Sequence, residues 1–228
     1  MEGILLIDKP RGITSFDVIR RLRRILNIKK MGHAGTLDPL ASGLMLIGVE
    51  AGTKQLTSLV KLDKEYLAEI LIGQRRSTGD MEGEVLEEKE VEEIFSAEKI
   101  SSTLADMIGN LTLPVSAYSA IKKDGSPMYK RARAAAEKGE TVTDVPMRTM
   151  QVEEAELLES KKLDLDNKTF QLVTVRFAVG SGTYIRSLAE EFGERLDYPA
   201  TLYNLRRTKV GDFDIKYAKT LEELTNHN

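Results

Sequence analysis

The segment GHAGTLDPLASG, Gly32 to Gly43, concentrates reactive residue types in one short stretch. His33, Thr36 and Asp38 stand close together, spaced by glycines and followed by Pro39. The chain holds one other histidine, His227, in a terminal tail of the kind that frays. Asp38 has two readings: an active-site carboxylate, or a turn residue that satisfies backbone N–H groups before proline. Several chemistries drop out at once. With no cysteine the chain has no disulfide framework, no thiolate zinc site and no cysteine nucleophile. Sugar hydrolysis wants a second carboxylate paired across the site, and none stands out. Two further candidates, Tyr66 and Arg186, read singly as a core aromatic and as a surface ion-pairing residue.

The elements that must position these residues are legible as local patterns. GILLI, residues 3–7, reads as a buried strand ended by the turn-like DKPRG. Thr14 or Ser15 caps a helix in which Val18, Ile19, Leu22, Ile25 and Leu26 recur at helical spacing. Its other face carries Arg20, Arg21, Arg23 and Arg24, with Lys29 and Lys30 beyond: a solvated face or a phosphate-binding one. After the glycine-rich loop, residues 43–49 read as a second buried strand, and residues 66–72 alternate as a third. The acidic segment 82–100 reads as a surface strand and helix leading into a second helix near Ile100 to Ile108. Between Pro114 and Pro146, Lys122, Lys123, Lys130, Arg131 and Arg133 interleave with Tyr118 and Tyr129. That pattern fits a mobile arm that orders on RNA, or a short helix with solvated lysines. Residues 172–179 alternate as a strand ending at Gly180–Gly182, TYIRSLAEEFGERL turns helical, and a short helix falls near Thr220 to Leu224. Strands and helices mix without regular βαβ alternation, so the class is α+β.

The 228 residues suit one large domain or two small ones, and 41% apolar with 30% charged residues is ordinary for a globular protein. No apolar run approaches the roughly 18 residues of a membrane span. The N-terminus MEGILLIDKP lacks a basic segment ahead of a long apolar one, which predicts no secretory signal and a cytoplasmic location. The net charge of −3 hides an asymmetry. Residues 1–60 carry nine Lys and Arg against five Asp and Glu, whereas residues 82–100 carry eight Glu against two Lys. A basic face beside an acidic flank is compatible with nucleic acid, as is a mixed surface of solvated charges.

Taken together, GILLIDKPRGITSFDVI, GHAGTLDPLASGLMLIGV, DKEYLAEILIGQRRSTGDMEGEV, SAYSAIK, GSGTYIRSLAEEFGERL and LRRTKVGDF occur in one order and closely resemble the bacterial TruB family of tRNA pseudouridine-55 synthases. The resemblance implies the pseudouridine synthase fold: a central mixed, mainly antiparallel sheet flanked by helices and loops, with a thumb-like RNA-binding insertion at 114–146. It implies one catalytic domain over 1–228 without the C-terminal PUA domain that many members carry. The implied reaction breaks the N-glycosidic bond of a uridine, rotates the uracil and rejoins it through carbon, with no cofactor and no metal. Asp38 matches the family's essential aspartate, acting by attack on ribose, by attack on the base or by removing a ribose proton. Arg186 matches the cation paired with that carboxylate, and Tyr66 the tyrosine packed on the uracil, a candidate for handling its proton. Tyr184 and Leu205 match pocket-lining positions, His33 the histidine that supports the flipped nucleotide, and Lys9 a site-adjacent position. Lys122, Lys130 and Arg131, with the basic helix face, are the implied contacts for the T-arm backbone. Thr201 departs from the pattern, standing where relatives often place a histidine. The implied partner is the tRNA T stem-loop, with no membrane, no required protein partner and a monomeric state. A second class of function, an RNA-folding module that only binds, shares the same resemblance, although retention of Asp38, Tyr66 and Arg186 favours catalysis.

Overall fold

A computed structural model describes residues 2–225 apart from 120, 124, 139–141 and 143; His227 lies outside the described residues. In chain order these form β1 (Gly3–Lys9), α1 (Ser15–Leu26), β2 (Met31–Ala34), β3 (Ser42–Val49), α2 (Leu56–Leu59), β4 (Lys64–Ile72), β5 (Gln74–Arg76) and β6 (Val85–Glu88). Next come α3 (Ala97–Ala105), β7 (Gly109–Pro114), β8 (Lys122–Lys123), β9 (Ser126–Pro127), α4 (Met128–Ala136) and β10 (Met147–Leu165). The rest comprises β11 (Lys168–Val179), α5 (Ile185–Glu194), β12 (Ala200–Val210), β13 (Phe213–Asp214) and α6 (Leu221–Thr225). The class is α+β, with a mixed, mainly antiparallel sheet and flanking helices. The chain divides into two compact units: Met1–Ala68, Arg176–Gly182 and Asn204–Asn228 form one, and Glu69–Val175 with Thr183–Tyr203 form the other.

In the first unit, β3 is fully buried. The apolar run SGLMLIGV, with no polar alternation, suits a strand covered on both faces. β1 lies antiparallel to it, from Gly3 opposite Val49 to Lys9 opposite Gly43. β2 also pairs with β3, from Met31 opposite Val49 to Ala34 opposite Leu46. The start of the glycine-rich segment is therefore a strand and not a loop. β12 joins β3 in parallel where Arg206 and Arg207 face Ser42 and Gly43. That approach requires glycine: Gly43 has φ +107°, and a Cβ there would fall 2.3 Å from the Arg207 carbonyl oxygen. Gly43→Ala is expected to cost on the order of 2–3 kcal/mol, read as a lower urea midpoint at an unchanged slope.

Helix α1 begins with a capping box, in which Thr14 Oγ1 accepts from the Asp17 N–H and the Asp17 carboxylate accepts from the Thr14 N–H. Asn27, in the left-handed region at φ 51°, terminates it. Val18, Ile19 and Leu22 are buried, worth about 1.5–3 kcal/mol each, which leaves the arginine face outward. A core of Ala34, Leu44, Leu46, Leu59 and Val210 closes this unit.

In the second unit, β7 and β10 pair antiparallel from Met147 opposite Pro114 to Val152 opposite Gly109. Ile100 and Leu104 of α3 are buried, as are Met150 and Val152 of β10. The acidic segment gives one helix where two were expected. Ser96 caps α3 by accepting from the Lys99 N–H at 3.2 Å, and the helix ends at Asp106, short of Ile108. Within 114–146 the described residues form a β8–β9 hairpin, with Lys122 opposite Pro127, followed by α4. Leu71, Phe170 and Leu172 make a core with Met81, Leu163, Leu165 and Tyr203.

Candidate active site

In the first unit the backbone around Asp38 is fastened from several sides. Ser15, buried in the first turn of α1, donates its hydroxyl to the Leu37 carbonyl at 2.9 Å and accepts the Leu37 N–H at 2.8 Å. The Gly12 N–H donates to the Pro39 carbonyl at 2.8 Å, and Arg11 Nε to the Leu40 carbonyl at 3.2 Å. The Ala41 N–H closes the turn on the Asp38 carbonyl at 3.1 Å. Asp38 itself is half-buried.

Lys9 lies against the turn that carries Asp38. It is 0% exposed, and its ammonium donates to the carbonyls of Ile13 at 2.7 Å, Pro10 at 3.0 Å and Pro39 at 3.5 Å. A cation so enclosed positions the Asp38 turn and is not placed to touch RNA directly. Thr201 is likewise fully buried in β12, so its side chain offers no surface for RNA.

Beneath the glycine-rich loop lies Arg207, from the LRRTKVGDF motif. It is 1% exposed, with Nε donating to the Leu44 carbonyl at 2.8 Å and Nη2 to the Gly35 carbonyl at 3.2 Å. Gly35 has φ +81°, the left-handed conformation that turns its carbonyl onto this cation. His33, half-buried on β2 opposite Ile47, feels the consequence. Burial, then the Arg207 cation, hold its imidazole below the ordinary value of 6.5 against a hydrogen bond to the Gly35 backbone. It is therefore neutral at physiological pH, suited to packing and hydrogen bonding and not to pairing with phosphate as a cation.

Tyr66 is buried on β4, and Leu205 is buried on β12. Two residues before Tyr66, Lys64 is also buried, donating to the Val60 carbonyl at 2.6 Å, to the Leu62 carbonyl and to Ser181 Oγ at 3.4 Å. Burial, followed by the Arg207 charge, lowers its pKa to about 8 against the pull of Asp63. Glu65 binds Thr208 Oγ1 at 2.7 Å, Lys209 at 3.1 Å and Arg176 at 3.3 Å, which fixes the strand that carries Tyr66.

In the second unit, Arg186 occupies the first turn of α5. Nη1 donates to the Thr78 carbonyl at 2.9 Å and Nη2 to the Tyr118 carbonyl at 3.3 Å, while Nη1 lies 3.7 Å from Asp80 Oδ2. The two side chains are 7% and 3% exposed, a buried ion pair. Asp80 also accepts from Thr78 Oγ1 at 2.5 Å and the Glu82 N–H at 3.1 Å. The pairing of Asp80 with Arg186 was not read from the sequence. Its one local signal is the polar turn STGDMEG, Ser77 to Gly83, whose glycines fit a tight bend. Tyr184 is half-buried at the N-cap of α5, its N–H 3.5 Å from Met150 Sδ. Lys122 on β8 and Lys130 on α4 are exposed, and Arg131 is half-buried.

One turn along α5, Glu190 reaches back towards Gly79, where a Cβ would lie 3.4 Å from its Oε1. Burial pushes its carboxyl up to about 7, against the pull of Arg75 and Arg186, with Glu194 and Asp80 adding to the rise. The folded state thus favours protonated Glu190. Its stabilising contribution is full below the ordinary value of 4.5 and is lost as pH rises through about 7. Glu190→Gln is expected to change stability little at pH 4 and to raise it at pH 8 by on the order of 1–3 kcal/mol, measured by urea unfolding at both pH values.

The fold is shared with chains solved in larger complexes. One is the structure of an H/ACA RNP bound to a substrate RNA containing 2'-deoxyuridine, with TM-score 0.68 and 26% identity over 98% of this chain and 52% of that one. Another is a Cbf5–Nop10–Gar1 complex, with TM-score 0.68 and 27% identity over 98% of this chain and 54% of that one. The chain spans about half the length of these solved structures. The class follows from a family model, TruB family pseudouridylate synthase (N terminal domain), which matches residues 23–185. Among curated relatives, tRNA pseudouridine synthase B of Leifsonia xyli subsp. xyli is 41% identical over 98% of this chain and 72% of its own length. The Mycobacterium ulcerans protein of the same name is 40% identical over 97% of this chain and 70% of its own length. The chain belongs to the TruB family.

Proposed function

We propose that this protein converts uridine in tRNA to pseudouridine, and that its target is uridine 55 of the T arm. The observation that carries the reading is Asp38 on a turn fastened by Ser15, Lys9, Arg11 and Gly12, within a chain 41% identical to a tRNA pseudouridine synthase B. A turn residue serving only its own loop does not need so many independent anchors from the N-terminal segment.

In this reading the target nucleotide leaves its stack, at a cost of a few kcal/mol offset by contacts in the pocket. Asp38 acts at the ribose or the base, while Arg186 is held by Asp80 and by the Thr78 and Tyr118 carbonyls. The bond from N1 to C1′ breaks, the uracil turns, and C5 bonds to C1′. C5 then loses its proton and N1 gains one, so the reaction is balanced without any co-reactant. Tyr66, buried on β4, packs on the uracil and is a candidate for that proton transfer. Neutral His33 supports the opened RNA loop, Tyr184 and Leu205 line the pocket, and Lys122, Lys130 and Arg131 contact the backbone of the T arm. Lys9 acts by holding the turn.

The test is incubation with an unmodified T-arm stem-loop, with nucleoside analysis for pseudouridine. Product at position 55, and none from a stem-loop carrying cytidine there, supports the reading. Product at another uridine would overturn the assignment of position. Tight binding with no product would replace catalysis by an RNA-folding role.

A further inference from the structure

Helix α1 is bound along the glycine-rich segment at both ends. Ser15 holds Leu37 at the Asp38 end, and Arg23 Nη2 donates to the Met31 carbonyl at 3.2 Å at the His33 end. The eight residues between Ser15 and Arg23 span about 12 Å of helix, so the outward face of α1 runs beside the segment from His33 to Asp38. On that face Phe16, Arg20 and Arg24 follow at intervals of four and form one stripe, with Arg21 beside it. All four are exposed, while Val18, Ile19 and Leu22 face the core.

Phe16 is the anomaly. It is 57% exposed although the core is one residue away, and it adjoins Ser15, whose hydroxyl grips the residue next to Asp38. The guanidinium carbon of Arg20 lies 5.9 Å from its ring centroid, and Arg20 also pairs with Asp17. An aromatic ring with a guanidinium beside it and a second one turn further on, next to a loop read as the site of an opened uridine, has the chemistry of a base-stacking platform with phosphate contacts.

We propose that this stripe is a second RNA-contact surface, in which Phe16 stacks on an unpaired base neighbouring the target uridine and Arg24, with Arg20, meets the adjoining phosphates. The inference rests on the RNA reading of the Asp38 loop. The stacking forms on binding and persists through the reaction, so it raises affinity without changing turnover at saturation.

The test measures Kd, KM, kcat and the dependence of Kd on salt for the T-arm stem-loop. Phe16→Ala is expected to raise Kd and KM roughly 5- to 100-fold with kcat unchanged and the salt slope intact. Phe16→Trp should restore binding, and Phe16→Leu should not, because leucine supplies apolar area without a π-face. Arg24→Gln should lower the slope of log Kd against log salt by about 0.7–0.9. Thermal unfolding of each variant monitors the helix. If Phe16→Ala binds and turns over RNA like the parent, the stacking surface is refuted while the catalytic reading stands; equal rescue by leucine refutes it as well. If the parent binds the stem-loop but forms no pseudouridine, the catalytic reading fails, and the loss of affinity in Phe16→Ala still decides the surface.

Discussion

Asp38→Asn is expected to abolish pseudouridine formation while leaving the fold and RNA affinity nearly unchanged. Asparagine keeps the size of the side chain but removes the negative charge needed to attack ribose or base, or to take a proton. The loss in kcat should be at least about three orders of magnitude, the upper range of a positioned acid–base group. The backbone gives no reason for collapse. Leu37, Pro39 and Leu40 are held by Ser15, Gly12, Lys9 and Arg11, and the Asp38 carbonyl by Ala41, none of which uses the carboxylate. Single-turnover assays on a T-arm stem-loop, with binding and urea unfolding of the same preparation, check all three properties. A variant that still isomerises uridine at a tenth of the parent rate would remove Asp38 from the chemistry.

Arg186→Ala should be the most destabilising of the substitutions considered. The guanidinium is buried at the start of α5 and serves the Thr78 and Tyr118 carbonyls as well as Asp80. Its removal leaves the Asp80 carboxylate buried without its cation, a loss of about 3–5 kcal/mol. A second substitution separates this cause from a simple packing defect. Asp80→Asn in the Arg186→Ala background should recover part of the stability at pH 7, and activity should stay lost. Arg186→Lys keeps a charge but cannot reproduce the planar fork onto two carbonyls and a carboxylate, so an intermediate stability is expected. Urea unfolding at pH 7 decides the matter; no recovery of stability in the double variant would mean that Asp80 is not what Arg186 neutralises.

Local features were readable wherever one segment carries its own instruction. Helix α1 follows from the spacing of Val18, Ile19 and Leu22 and from the Thr14 cap, and β3 follows from an unbroken apolar run. The glycine-rich segment was recognisable as chemistry-bearing because its residue types and order match a family, although its first three residues turn out to lie in a strand paired with β3. β10 was not anticipated, because most of its residues are exposed and polar and leave no strong apolar alternation to read.

The chain by itself determined the class of fold, the family, the candidate carboxylate and the basic stripe of α1, since periodicity, capping and motif order are properties of neighbouring residues. Only the tertiary structure decided which cations are buried. Lys9, Arg186 and Arg207 each carry a full charge, yet each is enclosed and satisfied largely by main-chain carbonyls. The Arg207 guanidinium meets Leu44 and Gly35 from more than 160 positions away, and Arg186 meets Thr78 from more than 100. A carbonyl has no letter of its own in a sequence, so a charge whose partners are distant backbone oxygens is visible only once the chain has folded around it.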